Sequence, residues 1–161
     1  MTFDSTDFRH CMGHFTTGIT VVTTINEENV RCGMTINSFS SLSLEPPLVT
    51  FSVDKNAHNH NNFANCKKFV VNILAEAQQN ISKTFAHPSS VEWNNVDYET
   101  SDDGCILIKD CIAYIQCEAE NIYHGGDHTI IIGRVINFQM TSDEPPLLYF
   151  KGKYRKIGDK L

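Results

Sequence analysis

Gly33-Met34-Thr35-Ile36-Asn37-Ser38-Phe39-Ser40-Ser41-Leu42-Ser43-Leu44-Glu45-Pro46-Pro47-Leu48-Val49 begins as a strand, breaks into small hydroxylated residues, and restarts as a strand after two prolines. The side chains of Thr35, Asn37, Ser38, Ser40, Ser41 and Ser43 are short. They leave backbone N–H groups uncovered and add hydroxyl or amide donors of their own. Such a bend makes a donor-rich concavity, suited to an anion or to the polar edge of a planar heterocycle. Ser and Asn clusters also mark ordinary turns, so the flanking sequence has to decide between the two.

On the N-terminal side, Ile19 to Ile25 and Val30 to Ile36 are β-branched runs around the polar turn Asn26-Glu27-Glu28-Asn29, the pattern of an antiparallel hairpin. Before them, Phe8, Cys11 or Met12, and Phe15 fall at helical spacing over Asp4 to Phe15, with Gly13 weakening the last turn. On the C-terminal side, Leu48 to Val53 and Phe69 to Leu74 read as strands, the latter buried on both faces. Short helices are expected over Ala57 to Asn65 and Gln79 to Ala86. His87 to Asp103 is an irregular excursion of the length that often forms a functional loop or lid. Cys105 to Ile108, Ile112 to Ile122, His128 to Met140 and Leu147 to Phe150 complete the strands. Ile112 to Ile122 alternates, with Ala113, Ile115, Cys117 and Ala119 on the expected core face and Tyr114, Gln116, Glu118 and Glu120 on the wet one. Gly133 marks a bulge or a close approach. Many strands with few, short helices predict a mainly β chain: a closed or nearly closed antiparallel barrel, one domain over residues 1–161.

Composition narrows the function. The net charge is −6 over 161 residues, and no Lys/Arg stripe tracks a phosphate backbone, so nucleic acid is not an expected partner. No apolar run reaches membrane-spanning length, and no signal-peptide pattern opens the chain. The six cysteines form no CxxC pair and are expected to be reduced, in the cytoplasm. His10 and His14, or His58 and His60, are incomplete as metal sites, so no metal ligands are assigned. There is no Gly-x-Ser-x-Gly elbow, no GxGxxG after a strand and no phosphate-binding P-loop, and each cysteine lacks an evident local activator except Cys11, which falls inside a packing pattern. What remains is Gly125-Gly126-Asp127-His128 at the mouth of a strand, and Leu147-Leu148-Tyr149-Phe150-Lys151-Gly152-Lys153-Tyr154-Arg155. Asp127 as a turn former, Tyr149 as core and Arg155 as a solvated tail are the plain alternatives for these.

The fragments occur in a telling order. They run from Phe8-Arg9, Met12-Gly13 and Phe15-Thr16-Thr17-Gly18-Ile19-Thr20-Val21-Val22 to Gly33-Met34-Thr35 with Asn37-Ser38-Phe39. Ser41-Leu42-Ser43-Leu44, Pro46-Pro47-Leu48-Val49 and Phe69-Val70-Val71-Asn72 follow. Gly126-Asp127-His128-Thr129, Gly133-Arg134-Val135 and Pro146-Leu147-Leu148-Tyr149-Phe150 with Gly152 and Tyr154-Arg155 close the series. Over nearly its whole length the chain resembles the short-chain flavin reductases of two-component flavin-dependent monooxygenases, which include the reductase components of hydroxyphenylacetate and nitrilotriacetate monooxygenases.

The resemblance implies a flavin-binding split β-barrel of Greek-key topology, assembled as a homodimer. It implies FMN or FAD along Thr35, Ile36, Asn37, Ser38, Phe39, Ser40 and Ser41. Ser52, Val53, Lys55 and His58 would approach the ribityl and phosphate end, and Phe85-Ala86 would close the site. His128, Tyr149, Tyr154 and Arg155 would border the pocket for NADH or NADPH, with His128 as the candidate catalytic or positioning group. Asn56-Ala57-His58-Asn59-His60 stands where many relatives carry a Ser or Thr, which leaves FMN against FAD open. The implied reaction passes a hydride from nicotinamide to flavin, with the rings stacked at about 3–3.5 Å. The reduced flavin would then serve a partner monooxygenase. Two other readings use the same barrel: a flavin-holding electron carrier without direct NAD(P)H use, and a binding module that has lost the chemistry.

Overall fold

Eight of the twelve strands lie where the sequence places them. The structure, a computed structural model, describes residues 3–87 and 91–159. α1 (Ser5–Met12) starts at Asp4, whose carboxylate accepts from the Thr6 N–H at 2.6 Å, and stops at Gly13. β1 (Thr17–Gly18), β2 (Thr20–Ile25), β3 (Arg31–Ile36), β4 (Ser40–Leu44) and β5 (Pro47–Asp54) precede α2 (His60–Ala64). β6 (Lys68–Ile73), α3 (Gln79–Ala86), β7 (Tyr98–Thr100), β8 (Ile106–Ile108), β9 (Ala113–Gly125), β10 (His128–Met140), β11 (Leu148–Phe150) and β12 (Lys153–Arg155) complete the chain.

Seven strands form one antiparallel sheet in the order β3-β2-β6-β9-β10-β5-β4. Its two edges, β3 and β4, are consecutive in sequence and joined only by Asn37, Ser38 and Phe39. Four Cα steps from Ile36 to Ser40 span at most about 14 Å. Six flat inter-strand spacings would put the same edges about 29 Å apart. The sheet therefore has to curl until its edges meet, which makes a split barrel rather than one closed by a continuous ladder.

Alternation along the central strands then feeds two cores. Val22, Met34, Phe51, Phe69, Val71, Cys117 and Ile131 fill the inside of the curl. Val21, Val70, Phe85, Leu107, Tyr114 and Leu147 pack on the outer face, beneath α3, the β7–β8 pair and the chain end. Asn72, fully buried, holds this second layer in place. Its amide donates to Val21 O at 2.9 Å and Thr23 Oγ1 at 3.1 Å, and accepts from Ile108 N at 2.9 Å.

Several expectations need correction. Ser40–Leu44, read as loop, is a strand: at a sheet edge, pairing with β5 (Ser40 opposite Thr50) suffices, and no apolar alternation is required. Lys153–Arg155 pairs with β11 instead of trailing off. The expected wet face of β9 is buried at Tyr114 and Gln116, because the second core covers it there. The helical spacing in α1 marks no core face, since none of its residues is buried. The excursion's Trp93, Val96 and Tyr98 pack on the outer core, while Pro88 lies outside the described residues. Gly133 is both bulge and close approach: the β9–β10 register shifts beside it, and an added Cβ would sit 2.3 Å from the buried Phe69 ring.

Gly133→Ala is therefore expected to destabilise the fold by about 1–3 kcal/mol through overpacking. Urea unfolding checks this, and an unchanged midpoint would mean that the Phe69 ring moves freely.

Candidate functional site

The bend between the two sheet edges is held by one hydroxyl. Ser38 Oγ donates to Ser52 O at 2.9 Å and accepts from Ser52 N at 3.1 Å, standing in for a strand neighbour. The remaining members of the segment divide by where the pleat points them. Ile36 and Val53 are buried in the inner core, so only their backbones can meet a ligand. Thr35 Oγ1 is committed to Ser82 O at 2.6 Å, and Ser40 Oγ to Ser41 O at 3.0 Å. Phe39 is half-buried against the inner core. Asn37 and Ser41 are exposed, and no side-chain hydrogen bond engages either. The bend thus keeps an amide, a hydroxyl and edge backbone groups facing outward, with no carboxylate among them.

Along β5 the same edge continues toward a second cluster. Ser52 and Asp54 are two residues apart, about 7 Å of strand, and Asp54 pairs with His128. Lys55 N donates to Asp127 O at 3.0 Å, and the Lys55 ammonium donates to the Gly126 carbonyl, which draws the glycine turn onto the end of β5. Gly126 takes φ +67, a conformation that glycine adopts without a Cβ penalty. Asp127 Oδ1 and His128 Nδ1 are 2.8 Å apart. That contact holds the Asp127 carboxyl below its ordinary 3.8. It also fixes the ring so that Nε2 is left for other partners. His60 Nε2 meets Thr129 Oγ1 at 2.8 Å and anchors the start of α2 beside this turn, while His58 is exposed.

A third group lies on the other side of β3. The Ser82 hydroxyl, fully buried, meets the Tyr154 hydroxyl at 3.0 Å, and the Tyr149 and Tyr154 rings stand 5.7 Å apart, edge to face. Ser82 thereby ties Thr35 on β3 to the end of the chain. Phe85 is fully buried: an added Cβ on Gly33 would lie 2.4 Å from its ring. Its side chain is core, and only backbone there, with exposed Ala86, can face a ligand. Arg155 is exposed. No described hydrogen bond, ion pair or ring contact joins His128 to Tyr149 or Tyr154. Sequence reading passed over Ser82, a helix residue with no motif around it, and the pairing role of Asp127, although it lay inside a quoted motif.

Other chemistry finds little here. Burial pushes the Cys66 thiol up to about 11 and those of Cys111 and Cys117 up to about 12, far from a nucleophilic thiolate at neutral pH. Among the described residues, no three His, Cys, Asp or Glu gather as a metal site. The outward donors of the bend suit the carbonyl and ring-nitrogen edge of a flavin.

Known proteins point the same way. A family model described as "Flavin reductase like domain" matches residues 12–158. A protein of Rhizobium meliloti named "Probable flavin reductase" is 38% identical over 152 residues, which is 94% of this chain but 49% of that protein. The chain thus spans about half the length of that relative. A flavin reductase of Pseudomonas putida is 34% identical over 147 residues, covering 91% of this chain and 86% of its own. The solved structure of the Streptomyces globisporus NADH:FAD oxidoreductase SgcE6, in complex with NAD and FAD fragments, superposes with a TM-score of 0.89 at 34% identity. It covers 98% of this chain and 97% of that one.

The Asp127–His128 contact makes a checkable statement. With the folded pKa of Asp127 depressed, the pairing is present above 3.8 and is lost as pH falls through the lower folded value. Carboxyl carbon NMR should place the Asp127 midpoint below 3.8 and move it upward in His128→Ala. A midpoint indifferent to that substitution would contradict the contact.

Proposed function

This chain belongs to the flavin reductase-like domain family, and from that premise we propose that it is an NAD(P)H:flavin oxidoreductase supplying reduced flavin to a partner monooxygenase. The observation that carries the reading is the pinned bend. Ser38 spends its hydroxyl on Ser52 so that Asn37, Ser41 and nearby backbone stay outward, and Ser52 itself stands about 7 Å of strand from Asp54, the residue paired with His128.

The bound partners supply the redox chemistry: reduced nicotinamide gives a hydride and the flavin ring accepts it. The protein's share is placement. Asn37 and Ser41, with the backbone around Thr35 to Ser41, offer donors to the polar edge of the ring, where negative charge develops. Because Ser38 locks the bend, these donors need no reorganisation when that charge appears. Ser52 to His58 forms the approach for the ribityl and phosphate end, with Asn56 and His58 as the donors, since the Lys55 ammonium is engaged by Gly126. Asp127 accepts from His128 Nδ1–H and so holds the imidazole in one tautomer, leaving Nε2 to position the nicotinamide. Tyr149 and Tyr154 supply an aromatic wall. No side chain is required as acid or base at the hydride step.

A homodimer is part of the same proposal. Phe138 (68% exposed) and Met140 (82%) on β10, and Leu44 (92%) on β4, leave large apolar side chains in water, surface that a second copy would cover. Sedimentation of the whole chain as a monomer would refute this. The five buried thiols, all unpaired, agree with a reducing compartment, and we place the protein in the cytoplasm on that basis.

Steady-state oxidation of NADH and NADPH with FMN, FAD or riboflavin is the test of the activity. Oxidation should depend on added flavin. In His128→Ala, KM for the nicotinamide should rise by about tenfold, a loss of roughly 1.4 kcal/mol, with flavin affinity unchanged. Equal loss of both affinities contradicts the role given to His128, and a flavin-binding protein inert toward both nucleotides contradicts the activity.

A further inference from the structure

We propose that the cleft between the end of α1 and the β11–β12 turn binds an adenosine phosphate, the half of a dinucleotide that carries no redox ring. The cavity, about 550 Å³, is lined by Arg9, His10, Gly13, His14, Lys151 and Gly152. Its size lies within the range of roughly 300–1,000 Å³ typical of small-molecule sites. Every ionisable group lining it is basic, in a chain with a net charge of −6.

Basic residues in the last turn of a helix ordinarily balance its C-terminal dipole, which accounts for Arg9 and His10. It does not account for Lys151. That residue comes from a different element and is drawn against the helix end by its own N–H, which donates to Gly13 O at 2.8 Å. Arg9 and Lys151 have no carboxylate partner, the described ion pairs being those of Lys68, His128, Arg134 and Lys156. Lys151 (φ 49) and Gly152 (φ 73) turn the chain in two successive left-handed steps, and a Cβ on Gly152 would meet nothing within 4 Å, so the cleft stays open there.

The walls are largely carbon. Glycine Cα atoms, aliphatic stems and imidazole faces offer such surface. An apolar wall with a cationic rim suits a nucleoside phosphate better than a bare phosphate, because the base needs a surface and the phosphate needs charge-assisted donors. Lys151 is two residues from Tyr149, and Gly152 two from Tyr154, a span of at most about 7 Å in each case. A nicotinamide against the tyrosines would therefore have its adenylate within reach of the cleft. That last step rests on the function proposed above. The cleft itself does not.

Two measurements on the whole chain test this, with Lys151→Gln, Arg9→Gln and the remote control Lys67→Gln. In the first, calorimetric titration with 5′-AMP should show binding that either cleft substitution weakens by about tenfold, the loss of one charge-assisted contact. Lys67→Gln should leave it unchanged, and inorganic phosphate should bind more weakly than 5′-AMP. In the second, kcat/KM is compared for NADH against reduced nicotinamide mononucleotide, and for FAD against FMN. A loss confined to NADH assigns the cleft to the pyridine dinucleotide, and a loss confined to FAD assigns it to the flavin dinucleotide. The proposal is overturned if 5′-AMP binding ignores both cleft substitutions, if phosphate binds as tightly as 5′-AMP, or if the mononucleotides lose as much as the dinucleotides. A chain that oxidises no pyridine nucleotide would refute the proposed function, while the 5′-AMP titration would still decide the cleft.

Discussion

A seven-stranded sheet whose outer strands are joined by three residues has no choice but to curl. Asn37, Ser38 and Phe39 impose that closure, and everything else accommodates it. The inner core exists because β3 and β5 are brought to face one another across the curl, so that Met34, Phe51 and Val53 share one interior. The same closure creates the edge proposed as the site. Where the ladder cannot continue, the Ser38 hydroxyl bonds to both polar groups of the Ser52 backbone. The gap in the barrel is thus satisfied internally on one side and left with free donors on the other.

Two glycines let the curl be tight. Gly33 admits the Phe85 ring against the back of β3, and Gly133 admits Phe69 against β10. With β3 braced by Phe85 from behind and by the Asn59 amide on the Gly33 carbonyl at 3.0 Å, the strand leading into the bend has little freedom. That rigidity suits the proposed role of the site, in which it contributes placement rather than acid–base chemistry. Ser82 carries the same order to the chain end, linking the Thr35 hydroxyl to the tyrosine pair through one buried residue.

Much of this was legible in the sequence. β-branched runs gave the central strands, the polar turn gave the first hairpin, and Gly133 declared its own close approach. The motif order pointed to the family before any geometry was known. What stayed hidden has physical causes. β4 and β12 lie at sheet edges, where pairing alone makes a strand and composition carries no alternation. Tyr114 and Gln116 read as solvent-facing because the layer that buries them, β8 and its neighbours, comes from residues outside any local window. Phe85 looked like a gate to the site, but its ring fills the space left by the missing side chain of Gly33, a contact across 52 residues of sequence that no spacing rule reveals. Ser82 lacks any signal, because its importance comes entirely from what two distant elements place against it.

The proposed seat of the flavin ring is the Ser38-pinned bend. Titration of the isotopically labelled chain with FMN, followed through its amide resonances, tests it most directly. The largest shifts should fall on residues 35–41 and 52–58, with the interior strand residues Val70 and Val71 unmoved. Shifts concentrated instead at the opposite mouth of the barrel, around Asn26 to Asn29 and Asn61 to Lys68, with the bend unperturbed, would contradict it.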